Sequence, residues 1–176
     1  MLFENRKEES VWLTGKGFNK LLFDKGVDMF QFTDKFDIIE NDELILQITK
    51  KFSADDRLIH FYHYDIVRKS DMKRIGNIRV RIGNNFHSYY NGHIGYEIFE
   101  EYRGNRLAYK ACREALSLVK FHGMGFVYFA CDESNIPSKK TIERLGAEFI
   151  EAADVPNEYF AWREGMERRL IYKLKL

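Results

Sequence analysis

The chain has 176 residues and a mass of 21.0 kDa, with 45% apolar residues, 31% charged residues and two prolines, a composition that excludes disorder, collagen-like repeats and tandem domains. A domain of this size buries roughly 70% of the surface its unfolded chain exposes, so no metal or disulfide is needed to hold it together. Its 28 basic residues nearly cancel its 27 acidic ones for a formal charge of +1, which excludes a nucleic-acid groove built on bulk positive charge and means that any anionic partner is held locally.

The start of the chain is polar (Glu4, Arg6, Lys7, Glu8, Glu9) and unlike a signal peptide. The longest apolar run, Phe126 to Cys131, falls far short of the roughly 20 residues that span a bilayer. A cytoplasmic protein with no membrane partner is expected. Residues 1–40 are rich in Phe and Lys, weakly periodic and broken by Gly15, Gly17 and Gly26. They read as short helical or irregular pieces forming an N-terminal extension or cap, with residues 41–176 as the main domain.

Strand signals begin at Leu44. Leu44 to Thr49 is almost continuously apolar, and Leu58 to Val67 is dense in aromatic and β-branched residues, with a polar turn from Ser53 to Arg57 between them. Within the second run His60 and His63 point to opposite faces of a strand, so no metal pair is expected. Ile75 to Ile82 alternates, with Ile78, Val80 and Ile82 inward and Arg79 and Arg81 outward, and Gly83-Asn84-Asn85 follows as a turn. His93 to Phe99 alternates again: Ile94, Tyr96 and Ile98 share one face, and His93, Gly95, Glu97 and Phe99 the other.

After Gly104 the period becomes helical. Leu107, Ala108, Ala111, Cys112, Ala115, Leu116 and Val119 form one apolar stripe, and His122-Gly123 ends it. Phe126 to Cys131 reads as a strand buried on both faces in a covered, parallel part of a sheet. Asn135-Ile136-Pro137 opens a second helix with a capping residue and a first-turn proline; Ser138, Thr141, Ile142 and Leu145 lie inward and Gly146 ends it. Two last strands are expected near Glu148 to Glu151 and Arg169 to Leu174. The aromatic loop between them, residues 152–168, is long enough to suggest a function. Cys112 and Cys131 lack CxxC spacing and read as buried reduced thiols.

Two strand-to-helix junctions carry the chemistry, because ligands of open α/β sheets bind at the carboxyl ends of strands. At the first, Arg103-Gly104-Asn105-Arg106-Leu107-Ala108 combines a glycine, free backbone N–H groups and a helix dipole into a candidate phosphate site. At the second, Cys131 to Ser138, the capping residue Asn135 faces the same end of the sheet.

The stretch from Gly92 to Gly146 resembles the core of the GNAT superfamily of N-acetyltransferases, whose pyrophosphate loop reads Arg/Gln-x-x-Gly-x-Gly/Ala. Arg103 and Ala108 match the ends of that pattern, and Asn135, Ser138 and Gly146 match the asparagine, small residue and glycine of the second junction. The resemblance implies an α/β (α+β) fold: a mixed, centrally splayed sheet flanked by helices. It implies acetyl-CoA as co-substrate, with its pyrophosphate on the amides of Arg103, Gly104, Asn105, Arg106, Leu107 and Ala108. The pantetheine would run between the strands 93–99 and 126–131, and the acetyl carbonyl would meet a backbone N–H near Tyr96 to Ile98. Asn135 would orient the arm, and Ser138 or water would serve the leaving thiolate.

The implied reaction moves acetyl to a primary amine of a small molecule, peptide or protein by direct attack in a ternary complex, and a protonated amine needs a base. Glu97 acting through a water is the first choice and His93 the second. No metal and no nucleic-acid partner is implied, and a homodimer stays open. The sequence departs from the family pattern in three places. Arg106 stands at the interior glycine, Ile142 stands where a tyrosine acid is often found, and only a short connection separates the first two strands. The acceptor wall is therefore assigned to residues 1–40 and to the 152–168 loop with Tyr159, Phe160 and Trp162. Two alternatives remain: a non-catalytic CoA-binding or sensing module on the same fold, and a different nucleotide-phosphate enzyme using the same helix N-terminus.

Overall fold

β-Branched and aromatic runs become strands wherever one face finds a partner to bury against. The computed structural model describes residues 30–55, 59–159, 161 and 168–176, and the chain divides into two compact units, Met1–Gln31 and Phe32–Leu176. Within the larger unit β1 (Ile38–Glu40), β2 (Leu44–Phe52), β3 (Phe61–Arg68), β4 (Lys73–Arg81) and β5 (Ile94–Ile98) form one antiparallel sheet in chain order. A second antiparallel sheet has the order β6 (Phe126–Asp132), β8 (Arg168–Lys175), β7 (Glu148–Asp154). The expected parallel placement of the 126–131 strand is corrected here: its ladder among the described residues is the antiparallel one with β8.

The first sheet buries Leu44, Leu46, Tyr62, Tyr64, Ile66, Ile78 and Val80 on one face. Helix α2 (Leu107–Phe121) packs on that sheet through Leu107, Ala111, Cys112, Ala115, Leu118 and Val119. Three small residues in that stripe let the helix axis approach closely, and Leu118 takes the buried place expected of Leu116, which is only half-buried. The two thiols, Cys112 and Cys131, are buried and free.

The Gly83 to Asn85 turn leads into a short helix absent from the sequence reading, α1 (Phe86–Asn91). Its signal is a capping box: Asn85 Oδ1 accepts from Ser88 N at 2.7 Å while Ser88 Oγ accepts from Asn85 N at 2.9 Å. Tyr89 and Tyr90 of α1 pack on Tyr128, Ala153 and Ile171 of the second sheet. Helix α3 (Ile136–Arg144) is capped by Asn135, whose Oδ1 accepts from Ser138 N at 3.1 Å.

The two sheets touch where β5 begins. Gly92 adopts φ +74, and an added Cβ would sit 3.0 Å from Ala130 N and 3.2 Å from Phe129 Cα. Gly92→Ala therefore combines backbone strain with a clash against β6, and is expected to lower unfolding free energy by roughly 1–3 kcal/mol, read as a fall in thermal midpoint.

Candidate functional site

Strand β5 offers hydrogen-bonding groups that its own sheet leaves unused. Arg81 N donates to His93 O at 2.8 Å and Phe99 N to Ile75 O at 2.9 Å, so Gly95, Glu97 and Phe99 turn their amides to β4 while His93 gives it its carbonyl. The amides of Ile94, Tyr96 and Ile98 point the other way, towards β6. Among the described residues β6 accepts from β5 at the near end alone: His93 N donates to Tyr128 O at 2.7 Å. Beyond that point the strands part, and a cleft of about 320 Å³ opens between them.

The cleft is lined by Ile94, Gly95, Tyr96 and Glu97 of β5, by residues 129–132, by Asn135, Ser138 and Ile142 of the α3 junction, and by Asn77, Arg79, Arg81, Asn91 and Arg169. It thus gathers Tyr96, Glu97, Asn135 and Ser138, four of the residues singled out in the sequence. Glu97 is exposed and accepts a 3.2 Å bond from Asn77 Nδ2 across the β4–β5 ladder. The Tyr96 ring turns to the helix side, where its hydroxyl lies buried beside Ser138 and Thr141 and burial pushes its pKa up. Ile142, at the position of the family's tyrosine, is buried in the cleft wall.

Beyond its carboxyl end β5 runs through a 3-10 turn (Glu100–Tyr102) into Arg103–Arg106 and α2. Arg103 Nε donates to Ile98 O at 3.0 Å, tying the loop to the strand end. Arg103 N donates to Glu100 O at 3.2 Å, and the next amide with a backbone acceptor is Lys110 N, bonded to Arg106 O at 3.1 Å. The amides of residues 104–109 therefore have no backbone acceptor among the described residues and gather at a helix N-terminus, an arrangement suited to a phosphate. Gly104 has φ +96 and Arg106 φ +57. The position where the family carries glycine has kept the left-handed conformation, with an arginine bearing its cost.

His93 lies apart from the residues that line the cleft. Its ring is fully buried and stacked on Tyr128. Nδ1 accepts from Tyr128 N at 2.7 Å, so Nε2 carries the proton and donates to Gly83 O at 3.0 Å, with Asn84 Oδ1 at 3.1 Å. Burial, helped by the Arg81 charge, depresses its pKa to about 4. Both nitrogens are committed to backbone, and His93 is not among the residues lining the cleft.

Arg81 corrects the expectation of an outward side chain. Its guanidinium lies over Gly95, with Nη1 3.3 Å from where a Cβ would stand there, and burial lowers its pKa to about 10. Nη1 donates to Gly92 O at 3.2 Å. With its amide oriented to satisfy both neighbours, Asn91 accepts from Arg81 Nε (3.2 Å) and Nη2 (3.0 Å) and donates to the Tyr159 hydroxyl (3.2 Å). Helix α1 thus supplies part of the cleft wall. Tyr159 of the aromatic loop is buried, while Phe160 and Trp162 lie outside the described residues. Asn77, Arg79, Arg81, Asn91 and Arg169 line the cleft without being expected there from the sequence; for the β4 residues the signal is the alternation that puts them on the face of Glu97.

A family model described as an acetyltransferase (GNAT) domain matches residues 23–148, and no curated protein sequence matches the chain. Among solved structures the chain is similar to a Vibrio cholerae protein assigned as a ribosomal-protein-serine acetyltransferase, with 15% identity and a TM-score of 0.59 over 79% of this chain and 97% of the other. It is similar to the ribosomal-protein-S5-alanine acetyltransferase of Vibrio fischeri, with 21% identity and a TM-score of 0.53 over 65% and 61%. It is also similar to the microcin C7 self-immunity acetyltransferase MccE, solved with acetyl-CoA and AMP, with 17% identity and a TM-score of 0.52 over 66% and 61%. The family match spans well over half of the chain, which belongs to the GNAT acetyltransferases and is an acetyltransferase enzyme. Its splayed, helix-flanked sheets are the fold expected from that family.

Two predictions follow from this geometry. Arg106→Glu reverses a charge beside the free amides and is expected to raise KM for acetyl-CoA roughly tenfold, with thermal midpoint as the folding control. Because His93 is held neutral in the native state, the unfolded chain binds its proton first. Stability is therefore complete above about pH 6.5 and falls as pH drops towards about 4, by on the order of 3 kcal/mol. His63 and His122, also depressed by burial, act in the same sense. His93→Gln should flatten the profile of unfolding free energy against pH in that window.

Proposed function

We propose that the protein transfers acetyl from acetyl-CoA to a primary amine by direct attack within a ternary complex, in the cytoplasm. The observation that carries this reading is the continuity of one strand: the free amides of residues 104–109 lie beyond its end, and its unpaired amides border the same cleft as Glu97. Pyrophosphate on the loop of residues 103–108 lays the pantetheine along β5, where it takes the place of the missing strand partner and accepts from the amide of Ile94, Tyr96 or Ile98. Asn135 has its oxygen occupied in capping α3, so its Nδ2 is the group left to orient the arm, beside the Ser138 hydroxyl.

The acetyl carbonyl then lies against the Tyr96 to Ile98 backbone, and an N–H there stabilises the negative oxygen that develops on attack. Glu97, through a water, takes the proton from the incoming ammonium, and Asn77 holds its carboxylate towards the cleft. His93 acts as a positioning residue that fixes where the strands part. The thiolate leaves readily at a thiol pKa of ~8.5, with water or Ser138 as proton source, so Ile142 in place of a tyrosine is tolerable. Two of the similar structures are named for acetylation of ribosomal proteins, which supports an amine acceptor of protein origin as one member of the class.

Glu97→Gln is expected to lower kcat about 10²-fold or more while leaving acetyl-CoA affinity within a factor of about two; the readouts are thiol release with an amine panel and isothermal titration with CoA. Unchanged turnover removes Glu97 as base. Thermal stabilisation by CoA with no thiol release above hydrolysis in the unaltered protein supports instead a CoA-binding module.

A further inference from the structure

The cleft carries more positive charge than its own carboxylates neutralise. Arg79, Arg81 and Arg169 all line it, against Glu97 and Asp132. Arg81 satisfies hydrogen bonds with neutral acceptors only, the Gly92 carbonyl and the Asn91 amide, and among the described residues it forms no ion pair. Burying a guanidinium without a counter-charge is costly, and its depressed pKa reflects that cost, with Arg79 and Arg169 as like charges nearby. Arg169 donates Nη2 to Ala130 O at 3.2 Å and approaches Asp132 Oδ1 only to 3.6 Å. Its Nε is buried with no partner among the described residues. Arg79 is exposed on the same face and forms no ion pair among the described residues. The chain as a whole carries a net charge of only +1.

The geometry also fixes the distance at which the excess acts. Arg81 lies over Gly95, and Glu97 is two residues along the same strand face, roughly 7 Å away. We infer that the acceptor is an amine bearing a carboxylate or phosphate within roughly 7 Å of the reacting nitrogen, with the anion bound by Arg81, Arg169 and Arg79 and the amine presented to Glu97. Guanidinium groups suit this task because their planar donors match both oxyanions in a bidentate manner. The inference rests on the amine-acetylation reading above and adds the substrate class. The anion reaches the site either on a small free amine or as an acidic residue next to a peptide N-terminus; the chemistry recognised is the same.

The test uses matched amines that differ only in charge: 3-aminopropyl phosphate against 3-aminopropanol, β-alanine against its amide, and short peptides with Glu or Gln in second position. Thiol release is followed at saturating acetyl-CoA. The anionic member of at least one pair is expected to have a kcat/KM tenfold or more above its partner, and the pair that shows it separates a small-molecule from a peptide acceptor. Arg169→Gln and the more exposed Arg79→Gln, the latter chosen because folding is least at risk, should each bring that ratio towards one. Equal use of both members, a preference for neutral amines, or a ratio unmoved in the folded variants overturns the inference while leaving amine acetylation intact. Absence of transfer to every amine overturns the acetylation reading, and a second arm then decides the anion site alone. With CoA saturating the pyrophosphate loop, phosphate and acetate should raise the thermal midpoint of the unaltered protein by more than they raise that of Arg169→Gln. Identical shifts in the two proteins count against the site.

Discussion

The parting of β5 from β6 is the constraint on which the rest of the molecule depends. Two antiparallel sheets meet at one point, where His93 N donates to Tyr128 O and Tyr128 N donates to His93 Nδ1, both at 2.7 Å. The second of these bonds puts a side-chain nitrogen where a continued ladder would place a carbonyl. The imidazole therefore satisfies β6 at the junction and lets the backbone of β5 turn away without leaving Tyr128 with an orphaned amide. Its neutral tautomer is locked by Gly83 O on the far side of the ring. Gly92, whose φ of +74 and lack of a Cβ allow contact with residues 129 and 130, is the backbone half of the same device.

Everything that handles ligand lies downstream of that parting. Once β5 leaves β6, the alternate amides of Ile94, Tyr96 and Ile98 face open space, and the strand end delivers the chain into a loop whose amides are also unspent. Charge is economised in the same spirit: a nearly neutral protein offers an anion backbone dipoles and a few arginines rather than a basic surface. The αL conformation of Arg106 is the strained point of that loop, and α2 behind it is held by small residues against the sheet.

Much of this was legible in the chain. The two junctions with their capping asparagine and glycine, the strand alternation through Glu97, and the helical stripe after Gly104 follow from local periodicity and local backbone preference, and they appear within one or two residues of the expected bounds. The capping box at Asn85 and Ser88 was readable too, but six residues of helix rich in aromatics carry little periodic signal. Leu118 displaced Leu116 because the face of α2 that is buried is chosen by the sheet, not by composition. Arg79 and Arg81 were correctly placed on the face opposite the core residues; that this face belongs to a cleft required the second sheet and α1, with Asn91 and Arg169, to come round to it.

By itself the sequence determined the family, most of the strands, the helices α2 and α3 and the strand face that presents Glu97, because each depends on residues close together in the chain. Tertiary structure alone decided the fate of His93 and Arg81. Neighbours in register on paired strands, they separate in role, since one ring finds the amide of Tyr128 and the Gly83 carbonyl while the other head group is buried over Gly95 with no carboxylate paired to it among the described residues. Whether a titratable group is a hinge, a base or an anion holder depends on which partners reach it across 10 to 35 positions of chain, and no local pattern encodes that.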